Sequence, residues 1–243
     1  MELHVYKSLP STNRAAYEAA REGAEEFYTV VAESQTAGRG RMARSFHSPA
    51  GGAYFSTVLR PEIPLAAYGK LTPIAAVAVH RAILRVTGCQ TEIKWVNDLL
   101  LDRKKVCGIL AESGTDRSGR PFVILGIGIN TADVEFPQEL RDVVTFVPCG
   151  DPMGLIHSTL EELAHYKQWI EEGDWLSYYR AHSAFLGERV RVIEGDHSRF
   201  CTALDVLEDG ALLVDFGDGK KEALRGGEIS IRAAQNDGNR HIL

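Results

Sequence analysis

Residues 122–129, FVILGIGI, are an unbroken apolar run bounded by Arg120-Pro121 and Asn130. The run is far too short to cross a bilayer, and it lacks the alternation of a strand with one face in water. It reads as a strand covered on both faces. A chain built round such a strand needs helices to cover its sheet, and this sequence supplies them. Ser11-Thr12-Asn13, ahead of an alanine-rich segment that stops at Gly23, reads as a capped helix. Residues 68–86 and 155–172 carry apolar residues at helical spacing, and a further helix is expected over 175–185. Strands are expected at 27–32, 53–59, 92–95, 99–101 and 106–111. With 44% hydrophobic residues in 243, the chain can bury one substantial core. The expected class is α/β (α+β).

The pattern changes near Gly187. Residues 188–232 read as short strands separated by turns such as Glu208-Asp209-Gly210 and Gly217-Asp218-Gly219, as in a small β-barrel. No apolar run approaches the roughly 18 residues of a membrane span, and the first ten residues lack a signal-peptide core. A cytoplasmic location is therefore expected. Cys89, Cys107, Cys149 and Cys201 lie far apart with no histidines at zinc spacing, so they read as reduced thiols and no metal site is assigned.

The net charge of -6 gives no global field for a polyanion, so anion binding has to come from a local cluster. Between Glu33 and Glu62 there is no Asp or Glu, but Arg39, Arg41, Arg44 and Arg60 are present. Within this window residues 35–52 form a long polar, glycine-rich loop. Loops beyond about 12–15 residues are uncommon in compact domains unless functional or disordered. In Gln35-Thr36-Ala37-Gly38-Arg39-Gly40-Arg41, alternate glycines let backbone N–H groups approach an anion, and the arginines offer forks matched to phosphate or carboxylate. A solvated flexible loop, or one touching RNA, has the same composition.

Two further groups carry chemical potential. Lys94-Trp95-Val96-Asn97-Asp98 and Lys105 fall on neighbouring strands of a hairpin, where Asp98 and a lysine are either a surface pair or a charge centre for an acyl or phosphoryl group. Gly126 and Gly128 weaken an apolar strand unless something approaches closely, and Asn130 at its end either opens a turn or reads a ligand. The eight histidines suggest no ligand set.

Taken in order, the Gly-Arg-Gly-Arg loop, Ser48-Pro49 with Gly51-Gly52, Lys94-Trp95-Val96-Asn97-Asp98, Lys105 with Gly108-Ile109-Leu110, and Gly126-Ile127-Gly128-Ile129-Asn130 resemble the biotin protein ligases. The resemblance extends from Ser11 to Gly226-Gly227-Glu228-Ile229-Ser230-Ile231-Arg232, nearly the whole chain. It implies a mixed β-sheet flanked by helices, of the kind shared by class II synthetases and biotin–lipoate ligases, followed by an SH3-like β-barrel. A catalytic domain over 1–186, an SH3-like domain over 187–234 and a flexible tail over 235–243 are expected.

The same resemblance implies an ATP-dependent ligase that activates biotin as biotinyl-5′-AMP and transfers it to a lysine of a biotin carboxyl carrier protein, using Mg²⁺. Ser11, Thr12, Asn13 and Gln35 match positions that bind the biotin ureido ring and its surroundings. Gly38, Arg39, Gly40 and Arg41 match the loop that orders over biotin and its adenylate, and Arg44 matches an arginine at the nucleotide phosphates. Lys105 matches the lysine on the reacting oxygens, while Asn97 and Asn130 match nucleotide contacts. Lys105, Arg41 and Asp98 are the catalytic candidates, with Asp98 positioning the carrier's amine. Two departures stand out: Val96 replaces the usual proline, and Phe46 stands where a tryptophan is common. Some members carry an N-terminal helix-turn-helix, for which this sequence leaves no room before Ser11, so no nucleic-acid partner is expected; the acidic charge and the lack of a long apolar run argue against a membrane partner, and a homodimer is left open.

Overall fold

The computed structural model describes residues 2–217, 219–226 and 229–233. The chain opens with β1 (Glu2–Leu9), α1 (Thr12–Arg21), β2 (Tyr28–Gln35) and β3 (Ala53–Leu59), followed by α2 (Leu71–Thr87). Then come β4 (Glu92–Lys94), β5 (Asp98–Leu101), β6 (Lys104–Thr115) and β7 (Pro121–Ile129). Helices α3 (Pro152–Leu163), α4 (Tyr166–Glu172) and α5 (Asp174–Ala181) lead to β8 (Arg189–Glu194), β9 (His197–Val206), β10 (Leu212–Asp215), β11 (Lys221–Leu224) and β12 (Ile229–Ala233).

The first sheet has seven strands in the order β1-β2-β3-β7-β6-β5-β4, with β1 and β2 parallel and the other neighbours antiparallel. Its apolar strand β7 lies between β3 and β6 and is buried from Phe122 onward, the environment its composition demands. On one face, Ala16 and Ala20 of α1 pack on Val30, Val58, Phe122 and Ile124. On the other, α2 packs on β4, β5 and β6 and against α3, which itself lies on β3, and Ile74, Val77, Ala78 and Ile83 of α2 are all buried. The left-handed Gly88 ends α2, its N–H bonded to Leu84 O.

Three local readings differ from the sequence expectation. Strand β1 escapes the pattern rules because it is a sheet edge with most residues exposed. The helix expected over 155–172 is two helices, broken at Ala164 and His165. Neither glycine nor proline marks the break, which turns Tyr166 inward to donate to Glu26 Oε1 at 2.5 Å. The small C-terminal barrel is not closed. Among the described residues its five antiparallel strands run β11-β10-β9-β8-β12, with no pairing between β11 and β12. Closure is unnecessary for burial here, because Val190, Val192, Ala203, Val206 and Val214 join the same core as the first sheet. The expected tail over 235–243 lies outside the described residues.

Candidate active site

A cavity of about 900 Å³ opens above the first sheet. The start of α1, the 35–48 segment, β5, β6 and β7 line it, together with the segment after β7 and residues of β8, β9 and β12. Every candidate site residue lines it except Thr12, which is buried beside it. Arg60 does not belong there. Its guanidinium is 3% exposed, pairs with Asp116 at 3.0 Å and donates to the carbonyls of Ala20 and Ala24.

The sheet glycines form the floor. Gly108 on β6 and Gly128 on β7 are register partners, and a Cβ on either would come within 3 Å of the Phe46 ring. Gly126 is opposite Ser56 of β3, and a Cβ there would fall 1.7 Å from Asn13 Oδ1. These positions are glycine because side chains from above rest directly on the strands.

One end of the cavity is polar and uncharged. Ser11 caps α1, accepting from Arg14 N. Thr12 N and Oγ1 both donate to Gln35 Oε1, at 2.8 and 3.1 Å, and Gln35 Nε2 donates to Ser48 Oγ at 2.9 Å. Ser56 Oγ lies 2.8 Å from Thr12 Oγ1 and donates to Asn13 Oδ1 at 2.6 Å. Asn13 Nδ2 donates to Glu112 Oε2 at 2.8 Å.

The other end is cationic. Lys105 Nζ lies 2.7 Å from Asp98 Oδ1, and Lys94 Nζ lies 3.5 Å from Oδ2. Neither ion pair is a surface pair, since all three side chains are less than 20% exposed. Burial raises the cost of charge on Asp98, but Lys105 and then Lys94 outweigh it and hold the carboxyl below the usual range. Burial also pulls the Lys94 ammonium down, opposed by Asp98 and reinforced by Lys105 and Arg232. Arg41 Nη1 donates to Asn97 Oδ1 at 2.9 Å, and Asn97 Nδ2 donates to Ile109 O, fixing the arginine loop to β6. Burial lowers the Arg41 pKa too, with Asp98 opposing and Arg44 adding to the effect. Asn130 is buried, its Nδ2 donating to Thr145 O at 3.0 Å. Trp95 and Val96 are joined by a cis peptide bond.

Several lining residues had no readable signal. Phe136, Leu140 and Val144 come from an irregular segment with no period, and Arg191, His197 and Arg232 come from strands of the second sheet. Glu112, behind the polar end, is a single acid within a strand. Among the described residues no cluster of three or more His, Cys, Asp or Glu could hold a metal, and no helix is long and apolar enough to cross a membrane.

A neutral polar pocket continuous with a cationic centre suits an elongated acid brought to a second anion. The fold and site thus point to the class of carboxylate-activating ligases. Comparison with known proteins narrows this. Residues 5–130 match the Biotin/lipoate A/B protein ligase family, and residues 185–232 match the Biotin protein ligase C terminal domain. The chain belongs to the biotin/lipoate protein ligase family. It is 38% identical over 229 residues to the Bifunctional ligase/repressor BirA of Bacillus subtilis, covering 88% of this chain and 69% of that protein. The Biotin–[acetyl-CoA-carboxylase] ligase of Mycobacterium tuberculosis is 32% identical over 242 residues, covering 94% of this chain and 88% of its own length. A biotin protein ligase of Aquifex aeolicus in complex with biotin and ATP superposes with a TM-score of 0.81 at 25% identity, covering 96% and 99% of the two chains.

Proposed function

We propose that this chain activates biotin with ATP to biotinyl-5′-AMP and transfers it to a lysine of a biotin carboxyl carrier domain. The observation that supports this best is the single cavity joining the Ser11–Asn13–Gln35 corner to the Lys105–Asp98–Lys94 centre under the arginine loop. The ureido ring occupies the neutral corner, and the valerate carboxylate reaches Lys105. The nucleotide lies toward Asn97, Asn130 and Arg44.

In the first step a carboxylate oxygen attacks the α-phosphorus, the bond to the β-phosphate oxygen breaks, and pyrophosphate leaves. Two anions must meet, so their repulsion and the charge developing on the phosphoryl oxygens have to be offset. Lys105, Arg39, Arg41 and Arg44 supply that charge. Mg²⁺ enters as MgATP, carried on the substrate phosphates. In the second step the carrier's amine attacks the acyl carbon, and the bond to the adenylate oxygen breaks to release AMP. Once Lys105 is drawn to substrate oxygens, Asp98 loses its nearest cation, becomes more basic and is left to orient the amine and take its proton.

The four cysteines are free, in keeping with a reducing cytoplasm where ATP is available. Gly187, at φ 82° just before β8, is our boundary between the catalytic and C-terminal parts. Incubation with labelled biotin and MgATP tests the whole reading. Adenylate should form without a carrier and stable label should appear on a carrier domain; absence of biotin-dependent pyrophosphate release would refute it. Lys105→Ala should cut adenylate formation by about 10²–10³, the common cost of losing one electrostatic donor.

A further inference from the structure

We propose that Glu112, which lines no wall of the cavity, is a positioning residue for the head group of bound biotin and acts through Asn13. The inference rests on the polar corner being the biotin end of the site. A carboxamide can be turned by half a rotation, exchanging its donor and acceptor, unless its neighbours decide. At Gln35 the decision belongs to the backbone. Thr12 N–H can only donate, so Oε1 faces α1 and Nε2 faces Ser48 Oγ, whose hydroxyl lies 3.0 Å from Phe46 O.

At Asn13 the decision belongs to Glu112. An ionised carboxylate only accepts, and Oε2 at 2.8 Å therefore fixes nitrogen on its side. Oδ1 is then turned to Ser56, whose single hydroxyl proton is spent on it at 2.6 Å. Ser56 alone does not set this orientation, because a hydroxyl could equally accept from an amide N–H. Each of the two amides thus has one N–H bound, and its second N–H has no partner among the described residues. The corner offers donors, which suits the ureido carbonyl and rejects a donor in its place. Gly126 lies directly under this carboxamide, leaving it no freedom to settle downward. The other Glu112 oxygen faces Arg39 Nη1 at 3.8 Å, so the same carboxylate touches the arginine loop.

Glu112→Gln keeps the shape but presents either oxygen or nitrogen to Asn13, so both orientations become populated. The test is equilibrium binding of labelled biotin and of its imino analogue, in which a protonated imino group replaces the ureido oxygen. The expected result is a biotin Kd raised at least tenfold and discrimination between the two ligands reduced at least threefold, with KM for ATP and Tm unchanged. Ser56→Ala, which removes the donor on the opposite side of the same amide, should shift binding and discrimination in the same direction. Unaltered biotin affinity in Glu112→Gln overturns the proposal, as does an equal loss for biotin, analogue and ATP. If the wild-type chain bound no biotin, the reading on which the proposal rests would fall with it, whereas wild-type binding that Glu112→Gln preserves overturns the proposal alone.

Discussion

Asp98 sets one carboxylate between two ammonium groups. In the reaction we propose, replacing it by Asn removes the group that takes the amine's proton but leaves Lys105 available to the reacting oxygens. Asp98→Asn should keep pyrophosphate release within about threefold of normal and slow carrier labelling by about 10²–10⁴, the usual contribution of general acid–base catalysis. Equal loss of both half-reactions would remove Asp98 from that role. Gly126→Ala should strike the other end, because its Cβ would overlap Asn13 Oδ1 and push the carboxamide off Glu112. A raised KM for biotin with KM for ATP unchanged is the expected steady-state result. At this scale the sequence was informative wherever the chemistry is concentrated in short motifs: the arginine loop, the 94–98 segment and the β7 glycines all reach one cavity. Glu112 was illegible because its role depends on which atom of Asn13 it faces, a fact with no trace in spacing.

Elements explain why Arg60 shares an acid-free window with the site arginines and does a different job. At the end of β3, its guanidinium ties the last turn of α1 to Asp116 in the β6–β7 turn. A cation suits a helix C-terminus, and removing Arg60 takes its donors away from the Ala20 and Ala24 carbonyls. Asp116 keeps donors from Ser118 and Arg120. Arg60→Met should therefore lower the denaturant midpoint of unfolding without changing KM for biotin or ATP. An altered KM would return Arg60 to the site. Elements buried on both faces or ended by glycine, such as β7 and α2, were readable from composition. Those settled by tertiary packing were not. The edge strand β1 buries too little for a pattern, and the α3–α4 break is imposed by where Tyr166 finds Glu26.

On the scale of the molecule, both sheets share one core and are stitched by Trp95 Nε1 donating to Gly210 O at 3.0 Å and by Arg180 on Asp205 and Val206 O. The chain should unfold in one calorimetric transition, and two resolved transitions would contradict the shared core. That core also makes stability depend on acid. His80 is 1% exposed, with Nε2 on Thr91 O and Nδ1 on Tyr178 Oη, so the neutral ring is satisfied by donating to the carbonyl and accepting from the phenol. Burial pushes its pKa down to about 4, with His182 adding to the shift and the Thr91 carbonyl opposing it. The unfolded chain, with a histidine near 6.5, binds the proton first. Stability from this group is therefore complete above about pH 6.5 and lost as pH falls toward 4, on the order of 3 kcal/mol in all. In His80→Gln the fall in unfolding free energy over this window should be shallower than in the wild type. Comparing the slopes cancels the carboxylates common to both proteins, and parallel curves would mean that the destabilising proton is taken up elsewhere.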